Sequence, residues 1–315
     1  MSPKLRRISF GSVLLVSVIA LASCGKSDKT DKPSARVFAS PDEAGNALVA
    51  AIKSGDQNSL VQIFGPDSKE VISSGDAVQD KNNAATFAAG YGTMHRWRKI
   101  TDGAQILLVG TDNFPFAVPL KKNAGGQWFF DTAAGKDEVL SRRIGRNELA
   151  IIDACRAVAD AQNQYFSELH DGETTKQYAS KFLSDPGKHN GLYWESPEGK
   201  PESPLGPLAA FAASEGYSTK QNTHMPFHGY YFRALKGQSD KAPGGAKQYA
   251  IDGKMTGGFA LVAYPAEYGN SGVMTFIVNQ DGLLLQKDLG KKTTETAIAM
   301  SEYDPGDGWD PINNE

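Results

Sequence analysis

The sequence predicts an α+β fold, and two kinds of pattern, each occurring twice, indicate it. Apolar residues recur at helical spacing near residues 41–52 and again over a much longer stretch, 137–170. Each of these regions is followed by short segments rich in valine, leucine and phenylalanine that are separated by Gly-, Asn- and Asp-containing turns. Helices followed by such strands predict two antiparallel sheets, each packed against helices.

Residues 1–23 predict a signal peptide. Three basic residues precede an apolar run over residues 8–21. The segment Leu21-Ala22-Ser23-Cys24 resembles the lipobox of bacterial lipoproteins, which implies cleavage before Cys24 and acylation of that residue. Two alternatives are an ordinary signal peptide with an incidental cysteine and a membrane-spanning helix. The apolar run is short for a span, which needs about 20 residues.

Residues 24–36 predict a flexible tether, because they are mostly serine, aspartate, lysine and threonine. Lipid on Cys24 makes a membrane the first expected partner. In Gram-negative lipoproteins an Asp after the acylated Cys tends to retain the protein in the inner membrane, and Gly25 is not Asp. We therefore expect a lipoprotein of the outer membrane that faces the periplasm of the cell envelope.

Composition excludes some classes of partner. The chain has 33 basic and 36 acidic residues, and three of the basic ones lie in the signal segment, which leaves a formal charge of −6. Because nucleic acid requires a clustered basic surface, we expect no nucleic-acid partner. Cys155 is the second of two cysteines and falls on an apolar helical stripe, so we expect it to be buried rather than disulfide-bonded or catalytic.

A first domain is predicted over residues 37–135. Ser40-Pro41-Asp42-Glu43 has the form of a capping box and predicts a helix from Pro41. Further helices are predicted over 60–64 and 80–91, and a meander of strands over 105–110, 114–120 and 127–131.

A second domain is predicted over residues 136–315, where a long helix, 137–170, packs on an antiparallel sheet. The strands of that sheet are expected at 229–235, 259–264, 273–279 and 283–288, with Asp281-Gly282 as a hairpin turn, and short helices at 176–183 and 208–215. This second half is similar to the head domains of type IV pilins. The chain lacks their N-terminal membrane helix, so no pilus function is inferred.

Several segments support a resemblance to a known family. They are Gln127–Gly135, Arg142–Glu148, Ser203–Leu208, Glu215–Tyr217, Phe227–Arg233, Ala242–Ala246 and Tyr268–Phe276. In this order they resemble the bacterial envelope family called domain of unknown function 2950. The resemblance covers most of the chain after the signal segment, but it implies no reaction and no site residues.

Three motifs have some features of a chemical site. His224 and His228 have the spacing of two metal ligands on a helix, but Pro226 lies between them, so we expect no metal and no cofactor there. Ser271 stands in a glycine-rich segment that departs from the nucleophile elbow, and we expect a tight turn. The aspartates between 304 and 310 lack the spacing of a calcium loop and are expected to be solvated.

Two further sets of side chains could bind a partner. The arginines at 142, 143 and 146, near the start of the long helix, are expected on a solvated face. The candidate ligand-binding residues combine aromatic rings with an arginine and a carboxylate, a mixture that suits a sugar or peptide groove. They are Tyr193, Trp194, Glu195, Tyr217, His228, Tyr230 and Arg233. The competing interpretation is that these aromatics fix an irregular loop to the sheet.

Together these observations predict a lipid-anchored, non-enzymatic binding or assembly module with an envelope protein or glycan as its partner. No catalytic residue is assigned. The alternative is an envelope hydrolase or carbohydrate-active enzyme with a cleft near Trp194, His228 and Arg233.

Overall fold

The computed structural model describes residues 35–197, 202–218 and 225–313. The signal segment, Cys24, most of the predicted tether and His224 lie outside this part of the chain. The described residues belong to one compact unit, in which helices and antiparallel sheets are combined. The prediction of an α+β fold with a long helix and a C-terminal antiparallel sheet is confirmed.

The first half of the described chain contains four helices followed by five strands. They are α1 (Pro41–Ser54), α2 (Gln57–Phe64), α3 (Lys69–Ile72), α4 (Ala77–Thr93), β1 (His95–Lys99), β2 (Gln105–Val109), β3 (Phe114–Pro115), β4 (Leu120–Lys122) and β5 (Trp128–Phe130). The strands pair antiparallel in the order β1-β2-β4-β5, and β3 also pairs with β2.

The second half begins with a helix of 36 residues. Its elements are α5 (Thr132–Ser167), α6 (Gly206–Ser214), β6 (Tyr230–Leu235), β7 (Gly237–Gln238), β8 (Lys247–Gln248), β9 (Ala260–Pro265), β10 (Met274–Asn279), β11 (Leu284–Asp288), α7 (Thr293–Ala299), β12 (Glu302–Tyr303) and β13 (Asp310–Pro311). The main sheet has the order β13-β11-β10-β9-β6 and is antiparallel throughout, while β12, β7 and β8 form a small separate sheet.

Local signals place the element boundaries as the sequence predicted at several points. Ser40 Oγ accepts a hydrogen bond from the Glu43 N–H at 3.1 Å, while the Glu43 carboxylate accepts one from the Ala39 N–H at 2.9 Å. The first bond satisfies an N–H group that the first turn of α1 leaves free, and the second holds the residue before the N-cap. Gly282 has a φ of 71° and closes the hairpin between β10 and β11, because glycine adopts left-handed backbone without strain.

The main sheet is covered on both faces. One apolar cluster lies between the sheet and α5, and it contains Ile151, Cys155 and Phe276. A second cluster on the opposite face contains Ile277 and residues of α7 such as Ala297. Separate clusters fill the first half. The predicted domain boundary at residue 135 falls inside α5 and stays a prediction.

The structure corrects two local predictions. Residues 176–183 do not form a helix. Their backbone instead bonds to distant partners: the Tyr178 N–H donates to the Met255 carbonyl at 2.9 Å, and the Gln162 side chain bonds to both the N–H and the carbonyl of Ala179. The strand β1 was not predicted, because its His-Arg-Trp-Arg-Lys sequence is mostly charged; pairing with β2 makes it a strand.

Two glycines of α5 provide a matched test of how closely this helix packs against the segment that contains Val118. A Cβ at Gly135 would lie 2.6 Å from Val118 Cα, whereas a Cβ at Gly145 would meet no atom within 4 Å. Because the backbone at Val118 cannot easily yield, we expect Gly135→Ala to destabilise the protein by about 1–3 kcal/mol. Gly145→Ala should stabilise it by about 0.5–1 kcal/mol, since alanine favours a helix over glycine.

The measurement is the free energy of unfolding from urea titration of the two variants and the wild type. Equal shifts for both variants would contradict the close contact at Gly135.

Candidate functional site

A group of buried and half-buried polar residues joins the first half of the chain to the second. We call this group the polar junction. Its members are Asp76, Gln79, Arg143, Asn147, Glu148, Tyr217, Asn270 and Ser271. Because burying polar groups is costly unless they are hydrogen-bonded, the bonds among these residues decide whether the two halves can pack together.

Asp76 is the centre of the polar junction. It is 0 % exposed and precedes α4, where its Oδ1 accepts hydrogen bonds from the N–H groups of Val78 and Gln79, both at 3.1 Å. Its other oxygen, Oδ2, accepts from the Tyr217 hydroxyl at 2.7 Å and the Gly229 N–H at 3.0 Å. One carboxylate therefore caps a helix of the first half and holds two segments of the second.

The long helix α5 supplies a second set of bonds. Asn147 accepts from the Gln79 amide at 2.8 Å and donates to the Ser271 carbonyl at 2.8 Å, so it links α4 to the turn before β10. Arg143 donates to the side-chain oxygen of Asn270. Arg143 is 7 % exposed, which corrects the prediction that it lies on a solvated face. Burial lowers the pKa of its guanidinium.

Glu148 and Ser271 fix the start of β10. The Glu148 Oε1 accepts from the N–H groups of Val273 and Met274, both at 2.9 Å. The Ser271 hydroxyl accepts from the Glu267 N–H at 3.0 Å and donates to the Glu267 carbonyl at 3.2 Å. Ser271 is fully buried in a tight turn, as predicted, and its hydroxyl is occupied by backbone.

A polar pocket lies beside the polar junction. It is lined by Gln79, Asn82, Asn83, Arg146, Glu215, Tyr217 and His228, and its volume is about 90 Å³. Gln79, Tyr217 and His228 are buried and form the floor. Asn82, Asn83 and Arg146 are exposed and form the rim. Because α4, α5 and the segment after α6 each contribute, the pocket exists only when the two halves are joined.

His228 enters the pocket from a strained turn. Its φ is 46° and that of Gly229 is 73°, so two successive residues are left-handed. Residues other than glycine are uncommon in this region, although asparagine, aspartate and histidine occur there more often than the rest. The imidazole lies nearly parallel to the Phe211 ring, 6.2 Å between centroids, and edge-on to Phe227 at 4.5 Å. Packing from both aromatic residues holds the ring in place.

Neither nitrogen of the His228 ring makes a hydrogen bond within the described chain. Nε2 lies 2.8 Å from Glu215 Oε2, an ion-pair distance, but the two atoms approach outside the angular range of a hydrogen bond. Gln79 Oε1 is also buried without a partner. Buried polar atoms are bonded in the great majority of cases, so several unpartnered atoms around one pocket are unusual.

Two adjacent asparagines position the charged walls of the pocket. The Asn82 amide donates to the Glu215 backbone carbonyl at 2.8 Å. Arg146 donates to the Asn83 side-chain oxygen at 3.1 Å. Within the described chain, Arg146 and Glu215 do not form an ion pair with each other. The pocket thus carries a positive and a negative group that are held apart.

The structure brings together only two of the candidate residues predicted from sequence, Tyr217 and His228. Burial, the hydrogen bond to Asp76 and the nearby carboxylates raise the pKa of Tyr217, so this hydroxyl remains a donor to Asp76. Tyr230 is fully buried, burial raises its pKa, and its hydroxyl donates to the Met274 carbonyl at 2.9 Å.

The other candidate residues lie elsewhere. Trp194 packs on the α5 side of the main sheet, edge-on to His189 at 4.7 Å. Tyr193 also packs there, and Glu195 is exposed. Arg233 faces the opposite side, where it donates to the Met300 carbonyl and, at 2.5 Å, to that of Ala297. The three side chains Trp194, His228 and Arg233 do not line one cleft.

Two further sequence predictions concern the metal spacing of His224 and His228 and the burial of Cys155. In the described ranges no group of three or more His, Cys, Asp or Glu could hold a metal ion. The pairing of His224 with His228 lies partly outside those ranges. Cys155 is buried, as predicted, and burial raises the pKa of its thiol to about 12, which keeps it protonated and unreactive near neutral pH.

Sequence reasoning missed Asp76, Gln79, Asn147 and the role of Arg143. A local signal existed for Asp76, because Asp followed by a helical pattern predicts an N-cap. Four segments that support the family resemblance do reach the polar junction or the pocket: Arg142–Glu148, Glu215–Tyr217, Phe227–Arg233 and Tyr268–Phe276.

Comparison with known proteins gives one finding. A family model described as "Protein of unknown function (DUF2950)" matches residues 35–312. Neither the curated proteins nor the solved structures contain a match to this chain. The similarity of the second half to pilin heads therefore stays a prediction.

Asp76 and Asp56 provide a matched test of the polar junction, because both cap a helix through two N–H groups. Asp56 caps α2 at the surface, so Asp56→Ala should cost about 1 kcal/mol of unfolding free energy. Asp76→Ala also leaves the Tyr217 O–H and the Gly229 N–H buried without an acceptor. We expect a loss of about 3 kcal/mol or more. Urea unfolding measures both, and similar losses would contradict the tertiary role of Asp76.

Proposed function

Because the chain belongs to the DUF2950 family of proteins of unknown function, whose description assigns no activity, we propose its function from its own residues. We propose that the protein is a lipid-anchored component of the cell envelope and acts as a non-enzymatic binding module. Its binding site is the polar pocket. The partner is a small polar compound or the end of a larger envelope molecule, such as a protein or a glycan.

The proposed location rests on sequence. Residues 1–24 combine a basic start, an apolar run and a lipobox-like segment that ends at Cys24. Gly25 favours the outer membrane, with the folded part in the periplasm. Within the described ranges, no helix is both long and apolar enough to cross a bilayer.

The proposed binding role rests on the unpartnered imidazole of His228. Among the described residues, His228 Nδ1 and Gln79 Oε1 are buried without a hydrogen bond, and His228 Nε2 meets Glu215 Oε2 at 2.8 Å without hydrogen-bond geometry. Leaving such groups unsatisfied costs about 1–3 kcal/mol each. A ligand that forms hydrogen bonds to these atoms would recover this free energy, and the recovered energy would contribute to its affinity for the pocket.

The non-enzymatic part of the proposal rests on which side chains reach the pocket. Among the described residues, its lining includes His228, Glu215 and Tyr217 but no serine, threonine, cysteine or lysine, so the His228–Glu215 pair has no nucleophile beside it other than Tyr217, whose hydroxyl donates to Asp76. The nearby Ser271 hydroxyl is bonded to backbone. The alternative, an envelope hydrolase with a cleft near Trp194, His228 and Arg233, has less support, because Trp194 and Arg233 pack against opposite faces of the main sheet.

Cys24→Ala tests the anchor. We expect wild type in the membrane fraction and the variant in the soluble fraction, because no acyl chain can be attached to alanine. Fractionation and immunoblotting measure this, with Cys155→Ala as the matched control that should remain membrane-bound. If Cys24→Ala stays with the membrane as wild type does, the lipoprotein assignment is wrong.

His228→Asn tests the binding site. Asparagine tolerates left-handed backbone, so the variant should fold while it lacks the imidazole. We expect at least one compound in a panel of sugars, amino acids and short peptides to raise the melting temperature of the wild type. A ligand at 100 times its Kd adds about 2.7 kcal/mol. The variant should lose that shift.

The same incubations, analysed by mass spectrometry, should return every compound unchanged. Conversion of a compound would contradict the non-enzymatic assignment. A panel without any stabilising compound would contradict the binding role.

A further inference from the structure

We propose that the polar pocket binds a zwitterion of amino-acid size, with its ammonium group on the floor and its carboxylate at the rim. The inference rests on the proposed function, because it assumes that the pocket binds a ligand. It adds the chemical class of that ligand. Three features carry it: the separation of charge in the pocket, the excess of acceptors on its floor, and its size.

Charge separation is the first feature. Arg146 and Glu215 line the same pocket, yet Asn83 holds the guanidinium and Asn82 holds the backbone of Glu215. Asn82 and Asn83 are consecutive residues of α4, so one helix holds both charged walls without joining them. A ligand with one charge of each sign complements both walls at once.

The distribution of donors and acceptors is the second feature. The buried side offers two acceptors beside the His228 ring, Gln79 Oε1 and the Glu215 carboxylate. An ammonium group has three N–H donors and can bond to both of them at once, whereas each hydroxyl group of a sugar has one. The exposed rim offers the Arg146 guanidinium, whose paired N–H groups suit a carboxylate.

Size is the third feature. A water molecule occupies about 30 Å³ in the liquid, so a pocket of 90 Å³ has room for about three waters or for one ligand of the same total volume. Alanine has six non-hydrogen atoms. A free amino acid with a small side chain therefore fits, while a disaccharide would extend well outside.

The test is isothermal titration calorimetry on the full chain in detergent micelles. The probes are alanine, acetate, ethylamine and glucose. Alanine should bind saturably to one site. Acetate and ethylamine each keep one of the two charged contacts, so they should bind at least about tenfold more weakly, as expected for loss of a charge-assisted hydrogen bond.

Two charge-removing variants and one control complete the test. Arg146→Gln and Glu215→Gln should each weaken alanine binding at least about tenfold. Arg156→Gln is the matched control, because Arg156 lies on the same helix outside the pocket. Circular dichroism melting would show whether each variant folds like the wild type.

The outcomes separate this inference from the proposed function. Lack of alanine binding, acetate binding as tight as alanine, or binding of glucose alone would each overturn the ligand class. The proposed function would stand in those cases if some compound still stabilised the wild type and not His228→Asn. Equal alanine affinity in Arg146→Gln and Arg156→Gln would also overturn the inference.

Discussion

The carboxylate of Asp76 is the interaction on which the rest of the structure depends. It lies where the first half of the chain meets the second, fully buried, and each of its oxygens accepts two hydrogen bonds. A buried carboxylate without partners would be very costly, so α4, Tyr217 and Gly229 must come together for the chain to fold. Asn147 and Arg143 then connect the same place to the turn before β10.

The pocket follows from this constraint. The hydrogen bond from Gly229 to Asp76 holds the left-handed turn that directs His228 toward Gln79 and Glu215. Gly229 has no room for a side chain, since a Cβ would lie 2.8 Å from that of Ser271. Because packing determines the strained backbone of His228, the unpartnered imidazole is a consequence of the architecture, and such strain often accompanies functional sites.

How far sequence reasoning reaches differs between elements. The capping box at Ser40, the hairpin at Asp281-Gly282 and the stripe containing Cys155 depend on residues a few positions apart, and all three were predicted correctly. The strand β1 and the irregular segment 176–183 depend on partners elsewhere, and both were missed. Of the pocket, only Tyr217 and His228 were predicted, because aromatic rings are conspicuous and asparagine or glutamine residues are not.

The sequence by itself determined the fold class, most helices and strands, the burial of Cys155 and the family. Each of these follows from hydrophobic period, turn chemistry or ordered segments, which are properties of neighbouring residues. Only the tertiary structure decided the polar junction and the pocket. Its hydrogen bonds join Tyr217 to Asp76 across 141 positions and Asn147 to Ser271 across 124. The spacing of residues in the sequence does not predict such contacts, because only burial and long-range packing bring these side chains together.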